Sequence, residues 1–387
     1  MKKVLFTLYK KRSHSLYKQF INDPPEGYQY FTLDDFFDDF IFEKSSSLFF
    51  EIIAKVKKNQ KIIRVARKNK IDIIYCCDGV SLFNSPISWV LEFEHATSLI
   101  AHNFNLWKVA KYILPLVLRQ KNLKYIIPWT VAGAFSLEKN LEIGEDVRKK
   151  IVPIHLCLNK TDSFDDIEKR KIEHENFTIL FVTSVNYNGE GEFYSKGGRI
   201  VIEVFEKLKK EDGNLKVILR SRIPKEFGYL KNDPQVEIYE DILPYEEFQK
   251  IFLQSDVFFY PGYQSPGLAF LDAMNYNLSI IATDVFANNE MVKSGENGFL
   301  VSFPESSSTN HLFQKYGIKN IPSGSMARED LLDEKMIDSS VEIIIKLKNS
   351  HKLLTDMGKS SKDLLKKEFS LEKRNSMLKE VFDNCLI

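Results

Sequence analysis

Between residues 258 and 301 the chain sets a turn, Gly262-Tyr263-Gln264-Ser265-Pro266-Gly267, between two segments of different hydrophobic period. The apolar run over 256–260, stopped by Pro261 and Gly262, predicts a buried strand. After the turn, Leu268, Leu271, Ala273 and Met274 mark the buried side of a helix over 268–276, and 279–283 is a second apolar strand. A strand that ends in a glycine-bearing turn at a helix start suits a phosphate, because free N–H groups and the positive end of the helix dipole both point at it. Gln264 and Asp272 flank that helix start eight residues apart. Asp272 falls inside the first two helical turns, within reach of a polar group lying over the helix end.

These residues resemble the donor-site signature of family 4 retaining glycosyltransferases, which have the two-Rossmann-domain GT-B fold. That signature has two glutamates eight apart around Phe-Gly, then Glu-Ala-Met, a strand ending Ala-Thr-Asp, and a later Glu before Asn-Gly-Leu-Val. Here the corresponding residues are Gln264, Pro266-Gly267, Asp272-Ala273-Met274, Ala282-Thr283-Asp284, Glu290 and Asn297-Gly298-Phe299-Leu300-Val301. Both glutamates are replaced. The resemblance implies transfer of a sugar from a nucleotide-sugar donor to a glycan or lipid-linked acceptor, with retained anomeric configuration and no metal or other cofactor. It implies that Asp272 holds the ribose hydroxyls, the N–H groups of Gly267 and Leu268 the phosphates, and Gln264 a sugar hydroxyl.

The same resemblance directs attention to three further places. The family's Gly-Arg after the first strand of the donor domain is absent, since Thr183-Ser184 stand there, and a longer loop follows. Lys196-Gly197-Gly198 then opens a helix, which makes Lys196 the implied diphosphate ligand. Arg220 and Arg222 both follow the next strand, and either is placed to replace the missing arginine. In the first domain, His95 matches a histidine that ends a strand beside the transferred sugar, with His102, Glu92 and Glu94 as rivals. Two alternatives share the architecture: a scaffold weakened at Gln264 and Asp272 that binds a nucleotide sugar or a partner without turnover, and a nucleotide-sugar epimerase.

The elements that must position these groups are those of an α/β chain. At 387 residues, with 44% hydrophobic and 28% charged residues, the chain suffices for two soluble α/β domains. The expected boundaries are 1–165 for the acceptor domain, joined by a C-terminal helix over 370–387 that crosses back to it, and 172–368 for the donor domain. The linker is expected within 156–170. The net charge of +1 argues against nucleic-acid binding. Residues 1–170 nevertheless hold 27 Lys and Arg against 20 Asp and Glu. Cys76, Cys77, Cys157 and Cys385 lack metal-ligand spacing and read as free thiols. No signal peptide or membrane span is apparent, so a cytoplasmic protein is expected, with peripheral membrane contact as an option.

Strands are expected over 4–9, 72–76, 89–93, 125–128 and 150–155 in the first domain, and over 177–183, 216–220 and 236–239 in the second. The aromatic segment over 28–50 reads as core. The loop after the first strand, Lys10-Lys11-Arg12-Ser13-His14, replaces a Gly-rich turn with basic and hydroxyl side chains. A helix over 52–70 carries Lys55, Lys57, Lys58, Lys61, Arg64, Arg67, Lys68 and Lys70 with no intervening acid. It is either a solvated face or one that rests on anionic lipid. Pro115 should end or kink a helix over 107–121. A further helix is expected over 244–253; after a surface loop over 302–329, helices are expected over 330–349 and 351–368, and Phe369-Ser370-Leu371 breaks the pattern before a last helix to Asn384.

Overall fold

A computed structural model describes residues 1–13, 15–37, 48–77, 82, 84–100, 104–172, 175–185, 191–211, 213–263, 267–303 and 332–387. Gln264, His102, Cys77's neighbours Asp78 and Gly79, and most of the loop over 302–329 lie outside these residues. The chain divides into two units. The first holds Met1–Asn159 and Phe369–Ile387, and the described residues of the second run from Lys160 to Glu368.

The first unit contains β1 (Lys2–Phe6), α1 (Ser15–Lys18), β2 (Tyr28–Phe31), α2 (Leu48–Lys68), β3 (Ile73–Cys76), β4 (Ser88–Phe93), α3 (Phe104–Leu118), β5 (Leu123–Pro128), α4 (Val131–Asn140) and α5 (Glu145–Arg148). The strands form one parallel sheet in the order β2-β1-β3-β4-β5. Side chains alternate across it. Leu5, Ile74, Cys76, Trp89, Leu91 and Ile126 share one buried cluster with Ile62 and Ala66 of α2 and Leu114, Val117 and Leu118 of α3.

The opposite face carries Phe6 and Tyr75, whose rings stack 4.4 Å apart, and Phe382, 6.1 Å from Tyr75. Phe382 belongs to the last helix, numbered α14 below (Leu371–Cys385), so the C-terminal helix does return to the first unit. Its anchor is Arg374, buried over the Phe20 ring. Arg374 donates to Glu92 at 2.7 Å, to the His155 carbonyl at 2.7 Å and to the Tyr75 hydroxyl at 3.2 Å.

The second unit contains α6 (Phe164–Arg170), β6 (Phe177–Val182), α7 (Gly191–Ser195), α8 (Gly198–Glu211), β7 (Leu215–Arg220), β8 (Val236–Tyr239), α9 (Tyr245–Leu253) and β9 (Val257–Tyr260). It continues with α10 (Gly267–Asn275), β10 (Ser279–Thr283), α11 (Asn288–Met291), β11 (Gly298–Val301), α12 (Glu334–Lys348) and α13 (His351–Glu368). Its six-stranded parallel sheet runs β11-β10-β9-β6-β7-β8. Every residue of β6, β9 and β10 is buried, as expected for central parallel strands covered on both faces. The order is that of a doubly wound dinucleotide-binding sheet, with its reversal between β6 and β9.

Several local expectations change. Residues 28–31 form a strand, because their backbone pairs with β1 from Lys2 to Leu5; the aromatic crowding had hidden the alternation. The strand expected over 150–155 is a single bridge, Ile151 to Ile126, with Val152 and Ile154 still donating to the β5 edge. Pro115 lies in the last turn of α3, and the helix ends three residues later. Within the expected linker, residues 164–170 are helical. Ser163 caps that helix by accepting from the Asp166 N–H, and Asp165 and Asp166 suit its first turn.

Candidate functional site

In a doubly wound sheet, ligands bind beyond the carboxyl ends of the strands at the point where strand order reverses. In the second unit that point lies between β6 and β9, whose following loops hold most of the groups singled out in the sequence. The two loops are pressed together backbone to backbone. Gly197 has φ +85°, and a Cβ there would come within 2.5 Å of the Pro261 carbonyl. A Cβ on Gly262 would overlap the backbone of Lys196. Only glycine permits this approach from both sides. The Tyr263 N–H donates to the Ser195 carbonyl at 3.1 Å, and the Thr283 hydroxyl donates to the Gly262 carbonyl. Asn288 in turn donates to the Thr283 carbonyl at 3.0 Å. Thr283 of the Ala-Thr-Asp run is therefore a brace for the turn after β9. Asp284 closes the strand end by accepting from the Phe303 N–H at 2.9 Å.

This clamp sets Lys196 between α7 and α8. Its ammonium lies 3.3 Å from Glu192, one helical turn earlier, and the side chain is 19% exposed. The helix over 191–195 and Glu192 are absent from the sequence reading; the i,i+4 spacing of Glu192 and Lys196 is the signal that could have found the pair. α8 begins at Gly198, so Lys196 precedes it by two residues.

Arg220 ends β7 and donates through Nη1 to the Thr183 carbonyl, while its guanidinium carbon lies 5.8 Å from the Phe248 ring centroid. Its buried Nε has no hydrogen-bond partner among the described residues. Arg222, equivalent by sequence, is exposed. Burial therefore separates the two arginines that spacing could not.

α10 starts at Gly267, with φ +56°, and Leu268 is half-buried rather than part of the packed side. Phe270, Leu271, Ala273 and Met274 fill the core beneath. Asp272 lies on the other side. It is part-exposed to water yet closely enclosed by protein, and that desolvation raises its pKa from 3.8 to about 7. Among the described residues, no positive group or hydrogen-bond donor offsets the cost. An enclosed carboxylate with no partner among the described residues is the pattern of a group kept for a ligand.

In the first unit, His95 follows β4 and enters a 3-10 turn, Ala96–Ile100. The turn is held by Ser98, whose N–H and hydroxyl both donate to the His95 carbonyl, and by Ser136 of α4, which accepts from the Ala96 N–H at 2.8 Å. The imidazole Nδ1 is bonded to the Thr97 hydroxyl, and Nε2 lies 4.0 Å from Glu94. The side chain keeps 21% of its surface accessible, but close packing lowers its pKa to about 4. His95 is thus a neutral imidazole near pH 7.

The rival Glu92 is corrected: it is fully buried and paired with Arg374, so its role is to hold α14 on the sheet. The basic loop after β1 is also engaged internally. Lys10 donates its backbone N–H to Asp34 at 2.5 Å and its ammonium to Asn22.

Comparison with known proteins agrees with this geometry. Residues 176–312 match the family described as glycosyl transferases group 1. No curated protein matches the sequence. Among solved structures, Anabaena HepE in complex with UDP-glucose has a TM-score of 0.63 at 12% identity, over 99% of this chain and 100% of that one. A glycosyltransferase from Rickettsia africae gives 0.62 at 13% identity, over 100% of this chain and 98% of that one. The pneumococcal O-GlcNAc transferase GtfA, in complex with UDP and GlcNAc, gives 0.58 at 12% identity, over 85% of this chain and 60% of that one. The chain therefore has the two-Rossmann-domain GT-B fold, and its second unit carries the similarity to group 1 glycosyl transferases.

Proposed function

We infer that the protein is a glycosyltransferase that takes its sugar from a nucleotide-sugar donor bound by the second unit and passes it to a glycan or lipid-linked acceptor. The observation that carries this reading is the pair of clamped loops at the β6/β9 reversal, with Lys196 on one, the start of α10 on the other, and beside them the enclosed Asp272, which has no partner among the described residues. The similarity of residues 176–312 to group 1 glycosyl transferases supports it, as do fold neighbours whose structures contain UDP or a UDP-sugar.

In this reading Asp272 accepts from the ribose hydroxyls, and the N–H groups of Gly267 and Leu268 meet the phosphates. Lys196, released from Glu192, and Arg220 offset the charge that grows on the departing diphosphate. The bond from the anomeric carbon to the diphosphate oxygen breaks, and one from that carbon to an acceptor hydroxyl oxygen forms. The hydroxyl proton leaves with the diphosphate or to solvent. Helix-start N–H groups and a lysine can stabilise such a leaving group without a divalent ion, and we propose metal-independent transfer with retention. Neutral His95 is suited to accept or donate one hydrogen bond to the sugar, and Gln264 to meet a sugar hydroxyl.

A thermal-shift and calorimetry panel of UDP-, GDP- and ADP-sugars, followed by donor hydrolysis and product analysis, tests the proposal. One donor should bind and be turned over, with the α or β configuration of the donor preserved in the product. Binding without hydrolysis or transfer to any acceptor would favour the non-catalytic scaffold instead. Absence of binding by every donor would refute both.

A further inference from the structure

α3 is apolar on both of its sides. Inward, Leu114, Val117 and Leu118 pack in the cluster shared with Ile62 and Ala66 of α2, so the two helices cover the same face of the first sheet. Outward, Val109, Tyr112, Ile113 and Leu116 recur at i, i+3, i+4 and i+7, and they are 47%, 69%, 47% and 60% exposed. A scattered exposed apolar residue needs no explanation, but a full stripe at helical spacing marks an interaction surface.

The segment that carries this stripe has charge of one sign. From His95 to Leu137 the sequence contains no Asp or Glu, while Lys108, Lys111, Arg119, Lys121 and Lys124 fall within it. On the same side of the sheet, α2 exposes Lys57, Lys61, Arg64, Arg67 and Lys68. The Lys111 ammonium lies 4.9 Å from the centre of the Tyr112 ring, and on α4 Lys139 lies 5.0 Å from that of Phe135. A lysine stem laid along an aromatic ring, with its ammonium at the polar end, suits a boundary between an apolar layer and water.

We propose that this side of the first unit docks on an anionic lipid bilayer. The α3 stripe enters the boundary between headgroups and acyl chains, and the α2 cations meet lipid phosphates. Charge decides against a second copy of the chain as the occupant, because two such faces would bring their basic helices together. Among the described residues no helix is long and apolar enough to cross a membrane, so the docking is peripheral in geometry. The inference stands apart from sugar transfer and is read without donor or acceptor.

The test is sedimentation of the full chain with phosphatidylcholine vesicles, with and without phosphatidylglycerol. Binding should be at least about tenfold stronger to the anionic vesicles and should fall as salt rises from about 0.1 to about 0.5 M. The Tyr112→Ser/Ile113→Ser/Leu116→Ser variant should lose at least about tenfold in binding at an unchanged melting temperature. The Lys57→Gln/Lys61→Gln/Arg64→Gln/Arg67→Gln variant should lose most of the salt dependence, which gives a second reading if the apolar variant folds poorly. Equal pelleting with neutral and anionic vesicles would overturn the proposal, as would wild-type binding by both variants. A wild-type dimer in analytical ultracentrifugation that the apolar variant abolishes, with no vesicle binding, would overturn it in favour of a protein interface.

Discussion

Asp272 offers the sharpest test of the donor site, because its environment makes binding and stability depend on pH in opposite senses. Its carboxyl is displaced from 3.8 to about 7 by burial. If only the ionised form accepts hydrogen bonds from the ribose, about 90% of the protein is competent at pH 8 and about 10% at pH 6. Affinity for the correct nucleotide sugar should then drop about tenfold between those values, or about 1.4 kcal/mol. A nucleotide sugar is the right probe, since a free diphosphate titrates in the same range.

For stability the sign reverses. The folded state holds a proton that the unfolded chain has already released above pH 4, so stability falls as pH rises from about 4 to about 7, and the full cost applies above that. The displacement corresponds to at most about 4 kcal/mol, and since Asp272 keeps part of its surface in water we expect about half of that. Asp272→Asn should therefore unfold at higher urea concentration than wild type at pH 8, match it at pH 4, and bind the nucleotide sugar weakly with a flat pH profile. Calorimetry at pH 6, 7 and 8 and urea titrations at pH 4 and 8 measure both arms. A variant that keeps the wild-type pH slope of binding, or that is no more stable at pH 8, would refute the assignment.

Lys196→Ala should weaken nucleoside diphosphate binding by about 1.5–3 kcal/mol, the range for a lost hydrogen bond to a charged group, and unchanged affinity in calorimetry would remove Lys196 from the site. Glu192→Gln should instead strengthen that binding, because Lys196 no longer has to leave a carboxylate 3.3 Å away; weaker binding would mean that Glu192 positions the lysine. Arg374→Met leaves the Glu92 carboxylate buried without its cation and should cost about 3–5 kcal/mol in chemical denaturation, while adding Glu92→Leu should recover most of the loss. Gln264→Glu removes an N–H donor, so turnover of a donor whose sugar offers an acceptor to that N–H should fall. A gain in turnover for the Glu form on the donor panel would show that the amide is a loss of function.

How far the site could be read from residues alone follows from the range of the interactions involved. Turn chemistry and apolar runs are local, so β9, α10 and β10 were legible within about a residue, as was the Lys-Gly-Gly helix start before α8. Gly262 and Gly197 also announced turns. Nothing local revealed that they touch, since the 64 residues between them are brought back by the sheet order, which places β9 beside β6. Glu92 shows the same limit from the other side. At a strand end next to Glu94 and His95 it looked available for chemistry, and only the arrival of Arg374, 282 positions later, makes it a buried structural anion. Arg220 and Arg222 are indistinguishable by type and spacing, and burial at the end of β7 parts them. Residue types and short-range pattern thus determined the α/β elements and the candidate donor ligands. The tertiary structure decided which of those groups are spent on each other and which have no partner among the described residues, because desolvation and charge pairing depend on neighbours far away in sequence.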